Sequence, residues 1–299
     1  MERPALQAQS VLYQNDKHAL ARAAEYLANA LRVERERAGL LGEASLRWGD
    51  ASPEPLFTPE EIAALAARLG GELKLEYRFF GRNTGSALGH DLLAEDGAAE
   101  LLLVMNPDVL LAPRSLTALH AALRLPGTAL AEARQLPLEH PKVYDERSLE
   151  TPWSATACAL LRAGAFREVG GFDSDSFFLY GDDVDLSWRL RLAGHILRYC
   201  PDAPVCHPKH LDAKARWEAT EAERYYAAES ALLLSWKWSR PKRLGRLLEL
   251  YAGGTPEQRA AAAAFERRRA AGRLPDRLDA EHRVASFVGW GCAAMRYSY

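Results

Sequence analysis

The run Ala99-Glu100-Leu101-Leu102-Leu103-Val104-Met105-Asn106-Pro107-Asp108-Val109 sets the narrowest limit on what this chain can become. Its apolar stretch ends abruptly in Asn-Pro-Asp. A segment apolar on both faces fits a strand buried in a parallel sheet, and Pro107 stops it because proline has no N–H for the ladder. Asp108 then falls just past the carboxyl end of a strand, where open α/β sheets bind their ligands. A plain Asn-Pro-Asp turn would read the same way in isolation. A second acidic signal tips the balance.

That signal is Phe177-Phe178-Leu179-Tyr180-Gly181-Asp182-Asp183-Val184-Asp185-Leu186-Ser187-Trp188-Arg189. Asp182, Asp183 and Asp185 stand between an aromatic run and a helix whose Leu186, Leu190 and Ala193 repeat at helical spacing, with Gly194 closing it. Helix-start chemistry accounts for some of this, with Asp182 as N-cap and Asp183 and Asp185 favourable against the dipole. One carboxylate would meet that need, and like charges this close raise each other's pKa. Acids gathered behind bulky aromatics suggest a site that holds a base or a cation.

Strand and helix patterns alternate along the first half. Residues 8–15 read as a strand, and Asp16 caps an alanine-rich helix to about Arg37 with Leu20, Ala23, Leu27 and Leu31 on one stripe. Glu43 to Trp48 is the second strand, ending in Gly49-Asp50-Ala51-Ser52-Pro53. This opening predicts a right-handed βαβ unit in a parallel sheet. Pro59 opens a helix to Leu69, and Lys74 to Phe80 alternates as a strand. Gly81-Arg82-Asn83-Thr84-Gly85 then leads into a helix to about Ala94. Arg114 to Leu123 is helical, Thr128 to Arg134 and Thr156 to Arg162 are strands, and Ala163 to Val169 is a short helix. Residues 135–152 form a long polar segment read as a flap. Ile196 to Cys200 and Ala203 to Cys206 read as two strand pieces with Pro201-Asp202 as a turn. From Trp217 onward the pattern is helical, over Glu221 to Trp238, Leu244 to Tyr251, Pro256 to Ala271 and about Val284 to Met295.

Bulk properties narrow the function. At 299 residues and 48% apolar, the chain supports one large α/β domain or one plus an appendage. A formal charge of −2 gives no global field for nucleic acid or a membrane. No signal-peptide plan and no membrane-spanning apolar run is present. Cys158, Cys200, Cys206 and Cys292 lack disulfide or zinc spacing, so each reads as a buried reduced thiol in a cytoplasmic protein.

The ordered series Asn106-Pro107-Asp108-Val109, Gly170-Gly171-Phe172-Asp173, Phe177 to Arg189, Ala193-Gly194-His195 and Ala203-Pro204-Val205-Cys206-His207 resembles the family 2 glycosyltransferases. Its closest branch is the rhamnosyltransferase-like group, and the series spans roughly residues 8–240. An ordered series is far more specific than any single motif.

The resemblance implies a GT-A fold, a Rossmann-like mixed and mostly parallel sheet flanked by helices. Residues 1–215 would be the catalytic domain, with nucleotide binding in residues 1–110 and acceptor binding and catalysis in residues 111–215. Residues 216–299 would be a helical extension. The resemblance also implies an inverting transfer from a nucleotide-diphosphate sugar, dTDP-rhamnose or else a UDP-hexose, to a polysaccharide or glycolipid acceptor. Gln14, Asp50, Asn83, Gly85, Asn106 and Asp108 would hold the nucleotide, although an Asx turn explains Asp50 nearly as well. Asp108 and His207 would hold Mn2+ or Mg2+, with a structural histidine as the other reading of His207. Asn106 replaces the usual first acid. Asp183 matches the catalytic base and Asp182 its supporting partner. Trp153 would stack on a sugar face or serve as a structural Trp. The basic and aromatic run Trp236 to Arg246 fits an anionic membrane surface or a lipid-linked diphosphate, but packing of an amphipathic helix on the catalytic domain is favoured. A homo-oligomer is compatible with the resemblance. A silent nucleotide- or glycan-binding protein on the same fold is the alternative. An unrelated nucleotide-binding enzyme would need a Gly-rich loop after the first strand, where Tyr13-Gln14-Asn15-Asp16 stands.

Overall fold

The computed structural model describes residues 3–139, 143–208 and 219–289. In order the elements are β1 (Leu6–Leu12), α1 (Lys17–Arg37), β2 (Ala44–Asp50), α2 (Pro59–Arg68), β3 (Lys74–Phe79), α3 (Gly85–Ala94), β4 (Leu101–Met105), β5 (Leu110–Leu111) and α4 (Ser115–Leu123). There follow β6 (Thr128–Leu136), β7 (Cys158–Arg162), α5 (Ala163–Glu168), α6 (Asp182–Leu192), β8 (Ile196–Cys206), α7 (Glu221–Lys237), α8 (Pro241–Ala252) and α9 (Pro256–Ala270).

Local chemistry sets the helix starts. The Asp16 carboxylate accepts from Ala19 N at 2.8 Å, and Thr58, Thr220 and Thr255 each form a capping box with the Glu or Gln three residues on.

The strands form one sheet in the order β3-β2-β1-β4-β7-β6-β8-β5. The first four are mutually parallel; β7 runs against β4 and β6, and β8 lies parallel to β6. Strand β4 therefore sits at the middle, and its alternation explains the apolar run. Leu101, Leu103 and Met105 enter a core under α1, α2 and α4, while Leu102 and Val104 enter a core under α3, α5 and α6. A third cluster joins Trp153, Phe177, Val184 and Trp188 to apolar residues of α7, α8 and α9. The C-terminal helices thus pack against α6 and the segments before β7 and α6.

The structure departs from the sequence expectations at particular points. Gly181, at φ 74°, is the N-cap of α6 and makes no side-chain cap bond; Asp182 is the first helical residue. Residues 196–206 are one strand, and Pro201-Asp202 forms a bulge between the Ala133–Cys200 and Arg134–Pro204 pairs. The bulge lets a strand pass a residue without an N–H. Cys206 is exposed on the strand next to the two-residue edge strand β5, rather than buried. Residues 284–289 are not helical, and the remainder of the helix expected to reach Met295 lies outside the described residues. So do Cys292 and Trp217. No helix among the described residues is long and apolar enough to cross a membrane.

Candidate functional site

Strands β1, β2, β3, β4, β6 and β8 share one direction, so their carboxyl ends make one edge, and the candidate residues gather there. At the β1 end, Gln14 (φ 53°) donates its N–H to Ser52 Oγ at 2.8 Å, tying the first loop to the second. Asp50 is fully buried. Its Oδ1 accepts from Ser52 N at 2.9 Å, and its Oδ2 from Leu56 N at 2.7 Å and from the Tyr77 hydroxyl. Burial and the Asp50 bond push the Tyr77 phenol up to about 12. Asp50 thus braces its loop from within, as an Asx-type turn requires.

At the β3 end, Asn83 Oδ1 accepts from Gly85 N at 3.1 Å at the start of α3. Gly85 sits at φ 66°, and a Cβ there would lie 2.3 Å from the Phe178 carbonyl oxygen. The close approach this glycine permits is to protein backbone: Ser86 N donates to that same oxygen at 2.9 Å. These contacts pin Phe178 against the start of α3.

The β4, β6 and β8 ends meet around His207. Asn106 N donates to Ala157 O at 2.8 Å, which fixes the Asn-Pro-Asp turn against the start of β7. His207 is 8% exposed. Its Nδ1 lies 2.9 Å from Gln135 Oε1, and its Nε2 lies 3.2 Å from Asn106 Nδ2 and 3.6 Å from Asp108 Oδ1. The side-chain amide oxygen of Gln135 assigns the proton to Nδ1, so Nε2 is the acceptor nitrogen and takes the Asn106 Nδ2–H, with Asp108 alongside. Among the described residues no group of three or more His, Cys, Asp or Glu is placed to hold a metal. Two protein donors, one carboxylate and one imidazole, still suit a divalent ion that takes its remaining ligands from phosphate and water.

The acids at the start of α6 are tied to the start of α3 through the 178–86 contact. Asp182 is 5% exposed, accepts from the Ser86 hydroxyl, and has an Oδ2 with no hydrogen-bond partner. Burial first, then the neighbouring Asp183 carboxylate, raises its pKa to about 7. Asp183 is half-buried, and its Oδ1 accepts from Val184 N at 2.8 Å. One turn on, Ser187 Oγ accepts from Ser154 N at 3.0 Å, anchoring α6 to the chain entering β7. Tyr180, at φ 64°, and Gly181 are two successive left-handed residues, and they turn the chain sharply into Asp182.

Asp185 is fully buried and points the other way. It pairs with Arg189 Nε at 2.7 Å and Lys237 Nζ at 2.8 Å, and accepts from Trp238 Nε1 at 3.0 Å. It braces the helix, as the sequence suggests. Lys237, Trp238 and Trp236 of the basic and aromatic run are correspondingly packed: Trp238 is fully buried, and Trp236 donates to Pro275 O at 2.8 Å. Trp153 is 7% exposed within the cluster shared with the C-terminal helices, a packed position rather than an open stacking face. His90 is buried against Gln9 at 3.1 Å, and burial lowers its pKa to about 3.

The carboxyl ends therefore carry three local groups, Gln14 with Asp50, Asn83 and Gly85 with Asp182 and its neighbour Asp183 through Ser86, and Asn106 with Asp108 and His207, while Trp153 lies in the core. Sequence reasoning missed Gln135, Ser86 and Glu223. The Tyr180 hydroxyl donates to Glu223 Oε1 at 2.9 Å. Gln135 lies just past the point where the strand was expected to end, so its register with β8 was the missing signal.

No protein-family model matches the chain. It is 34% identical over 144 residues, 36% of this chain and 47% of the relative, to N-acetylglucosaminyl-diphospho-decaprenol L-rhamnosyltransferase of Mycobacterium tuberculosis. It is 36% identical over 86 residues, 27% of this chain and 32% of the relative, to rhamnosyltransferase WbbL of Escherichia coli. The chain spans about half the length of the mycobacterial relative it matches. Among solved structures, it resembles mannosyltransferase PcManGT of Pyrobaculum calidifontis in complex with GDP-Man and Mn2+, with TM-score 0.55, 16% identity, and coverage of 92% of this chain and 81% of that one. It also resembles GalNAc-T7 with UDP, GalNAc and Mn2+, with TM-score 0.61, 12% identity, and coverage of 92% and 55%. The chain has the GT-A fold, and its resemblance to the rhamnosyltransferase-like family 2 glycosyltransferases is borne out.

Proposed function

We propose that this chain, GT-A in fold and similar to named rhamnosyltransferases, is an inverting glycosyltransferase. It moves a sugar from a nucleotide-diphosphate donor, dTDP-rhamnose or else a UDP-hexose, to a hydroxyl of a polysaccharide or lipid-linked glycan. The observation that carries the reading is the meeting of Asp108 and His207, at 3.6 Å, past the carboxyl ends of β4 and β8.

The loops carrying Gln14, Asp50, Asn83 and Gly85 line the nucleotide end of that edge. Asp50 acts there by holding its loop, since its oxygens are already committed. Asp108 Oδ1 and His207 Nε2 would hold a divalent ion, with Asn106 beside them. When bound, such an ion supplies positive charge against the diphosphate whose negative charge grows as the sugar leaves. Asn106 contributes a neutral hydrogen bond where an acid would add a second charge, so Asp108 is the carboxylate ligand of the pair.

Asp183 receives the proton of the acceptor hydroxyl while that oxygen bonds to the anomeric carbon. The bond from that carbon to the phosphate oxygen breaks, and the electron pair leaves with the diphosphate. Attack and departure take opposite faces, which inverts the anomeric configuration. With its pKa raised to about 7, Asp182 is still partly protonated near neutrality, which lessens the negative charge beside Asp183.

The test is a melting-temperature screen against dTDP and UDP with and without Mn2+, followed by transfer assays with the matching sugar donors. Stabilisation by one diphosphate and turnover of its sugar donor are expected. Nucleotide binding with neither transfer nor donor hydrolysis would instead identify a silent binding protein.

A further inference from the structure

The connection from α5 to α6 contains only turns and bends, yet it delivers Asp182 and Asp183 to the start of α6. Its shape must therefore come from partners elsewhere in the chain. We propose that Arg268 of α9 is a positioning residue for the transfer step, holding this connection so that the acids at its end keep their places. The proposal rests on the reading of Asp183 as the base and gives α9 a part in it.

One guanidinium captures two successive backbone carbonyls. Arg268 Nη2 donates to Asp175 O at 2.8 Å, and Nη1 to Ser176 O at 3.1 Å. The rigid donor fork of an arginine suits such a pair of acceptors. Both carbonyls belong to the tightest part of the connection, where Ser176 N and Phe177 N each donate to Asp173 O, at 3.2 and 2.9 Å. Ser176 is 6% exposed, so water is a poor substitute for the partner its carbonyl has. Arg268 extends from the last turn of α9, and Phe265 of the same helix is fully buried in the cluster shared with α7. The fork is thus carried on a packed base.

The two ends of the connection are held by other helices. At its start, Phe172 N donates to Asp91 Oδ1 of α3 at 2.8 Å, and a Cβ on Gly171 would lie 2.5 Å from that oxygen. At its end, the Phe178 ring stacks on Tyr226 of α7, with centroids 4.9 Å apart. Gly181 lies so near the same helix that a Cβ there would be 2.8 Å from Ser230 Cβ. Helices α3 and α7 fix the ends, and Arg268 fixes the turn between them. Without that tie the turn can shift, and Gly181 passes the shift directly to Asp182 and Asp183. A displacement of about 1 Å in a reacting group can cost about 10²-fold in rate.

The experiment compares Arg268→Ala and Arg268→Lys with Arg269→Ala. The last removes the same charge from the same turn of α9, but its partner is Glu266 of that helix, at 2.6 Å. Steady-state transfer is measured well below each melting temperature, and hydrogen exchange is followed at the Ser176 and Phe177 amides. Arg268→Ala should lower kcat about 10–100-fold with the donor KM unchanged, and should speed exchange at both amides. Arg268→Lys keeps the stem and the charge but not the fork, and its kcat should fall between the alanine variant and the native chain. Arg269→Ala should match the native chain in both measurements. A native kcat in either Arg268 variant, an equal loss in Arg269→Ala, or a loss confined to KM overturns the proposal. If the native chain transfers no sugar, the transferase reading fails, and exchange still decides whether Arg268 holds the connection. Unchanged exchange at the two amides overturns the proposal in either case.

Discussion

Lys237 of α7 lies 2.8 Å from Asp185 of α6, and the same ammonium reaches Asp173 at 2.7 Å. The lysine is 6% exposed and Asp185 fully buried, so one cation bridges two carboxylates, with Arg189 as the second cation on Asp185, where the C-terminal helices meet α6. Burial pushes the Asp173 carboxyl up, but the Lys237 bonds more than offset this and leave its pKa below the ordinary 3.8.

Removing that cation should cost more than the loss of one surface ion pair. Lys237→Met leaves buried charge uncompensated, so urea unfolding should report a loss of about 3–5 kcal/mol. A change near zero would mean that the pairs are water-exposed in solution.

Stability should also follow the Asp182 proton. Its folded-state pKa of about 7 stands above the ordinary 3.8. Between those values the folded protein keeps a proton that the unfolded chain releases. Its contribution to stability therefore falls as pH rises across that window and is lowest above it. Asp182→Asn removes this titration. The melting temperature of the variant relative to the native protein should rise by several degrees between pH about 5 and pH about 8. A flat difference would show that Asp182 ionises as an ordinary carboxylate.

Gln135 is expected to tune metal affinity without touching the metal. Its oxygen fixes the His207 tautomer at 2.9 Å. Gln135→Leu should weaken Mn2+ binding about 10–100-fold, the usual consequence of deleting such a partner. Mn2+ titration by electron paramagnetic resonance measures this, and unchanged affinity would contradict a role for Gln135 in setting the His207 tautomer at the metal.

Tyr180 offers a milder test. Tyr180→Phe deletes one hydrogen bond, to Glu223, and should cost about 0.5–1.5 kcal/mol by denaturant unfolding. A shift in the turn before Asp182 should lower kcat while leaving the donor KM in place. A change confined to KM would count against a positioning role.

Much of this architecture was legible because it rests on local chemistry. Asp16, Thr58 and the β4 run announce themselves by capping and by apolar residues on both faces, and the elements follow within a residue or two. What the sequence hid was contact between distant segments. Asp182 looks like an N-cap by residue type, yet Gly181 takes that place because the chain must turn through two left-handed residues there. Pro201-Asp202 looks like a turn, but a bulge absorbs it. Asp50 and Gly85 sit in the expected loops, while their partners, Tyr77 and Phe178, come from other elements. Gln135 became visible only when strand register set it against His207.

The central claim is that Asp183 takes the acceptor proton at an edge where Asp108 and His207 secure the diphosphate. Its most direct test is single-turnover transfer by Asp183→Asn, with nucleotide–Mn2+ binding measured on the same protein. A rate loss of about 10²–10⁴-fold with nucleotide affinity unchanged is the predicted result. Transfer at the native rate by that variant would contradict it.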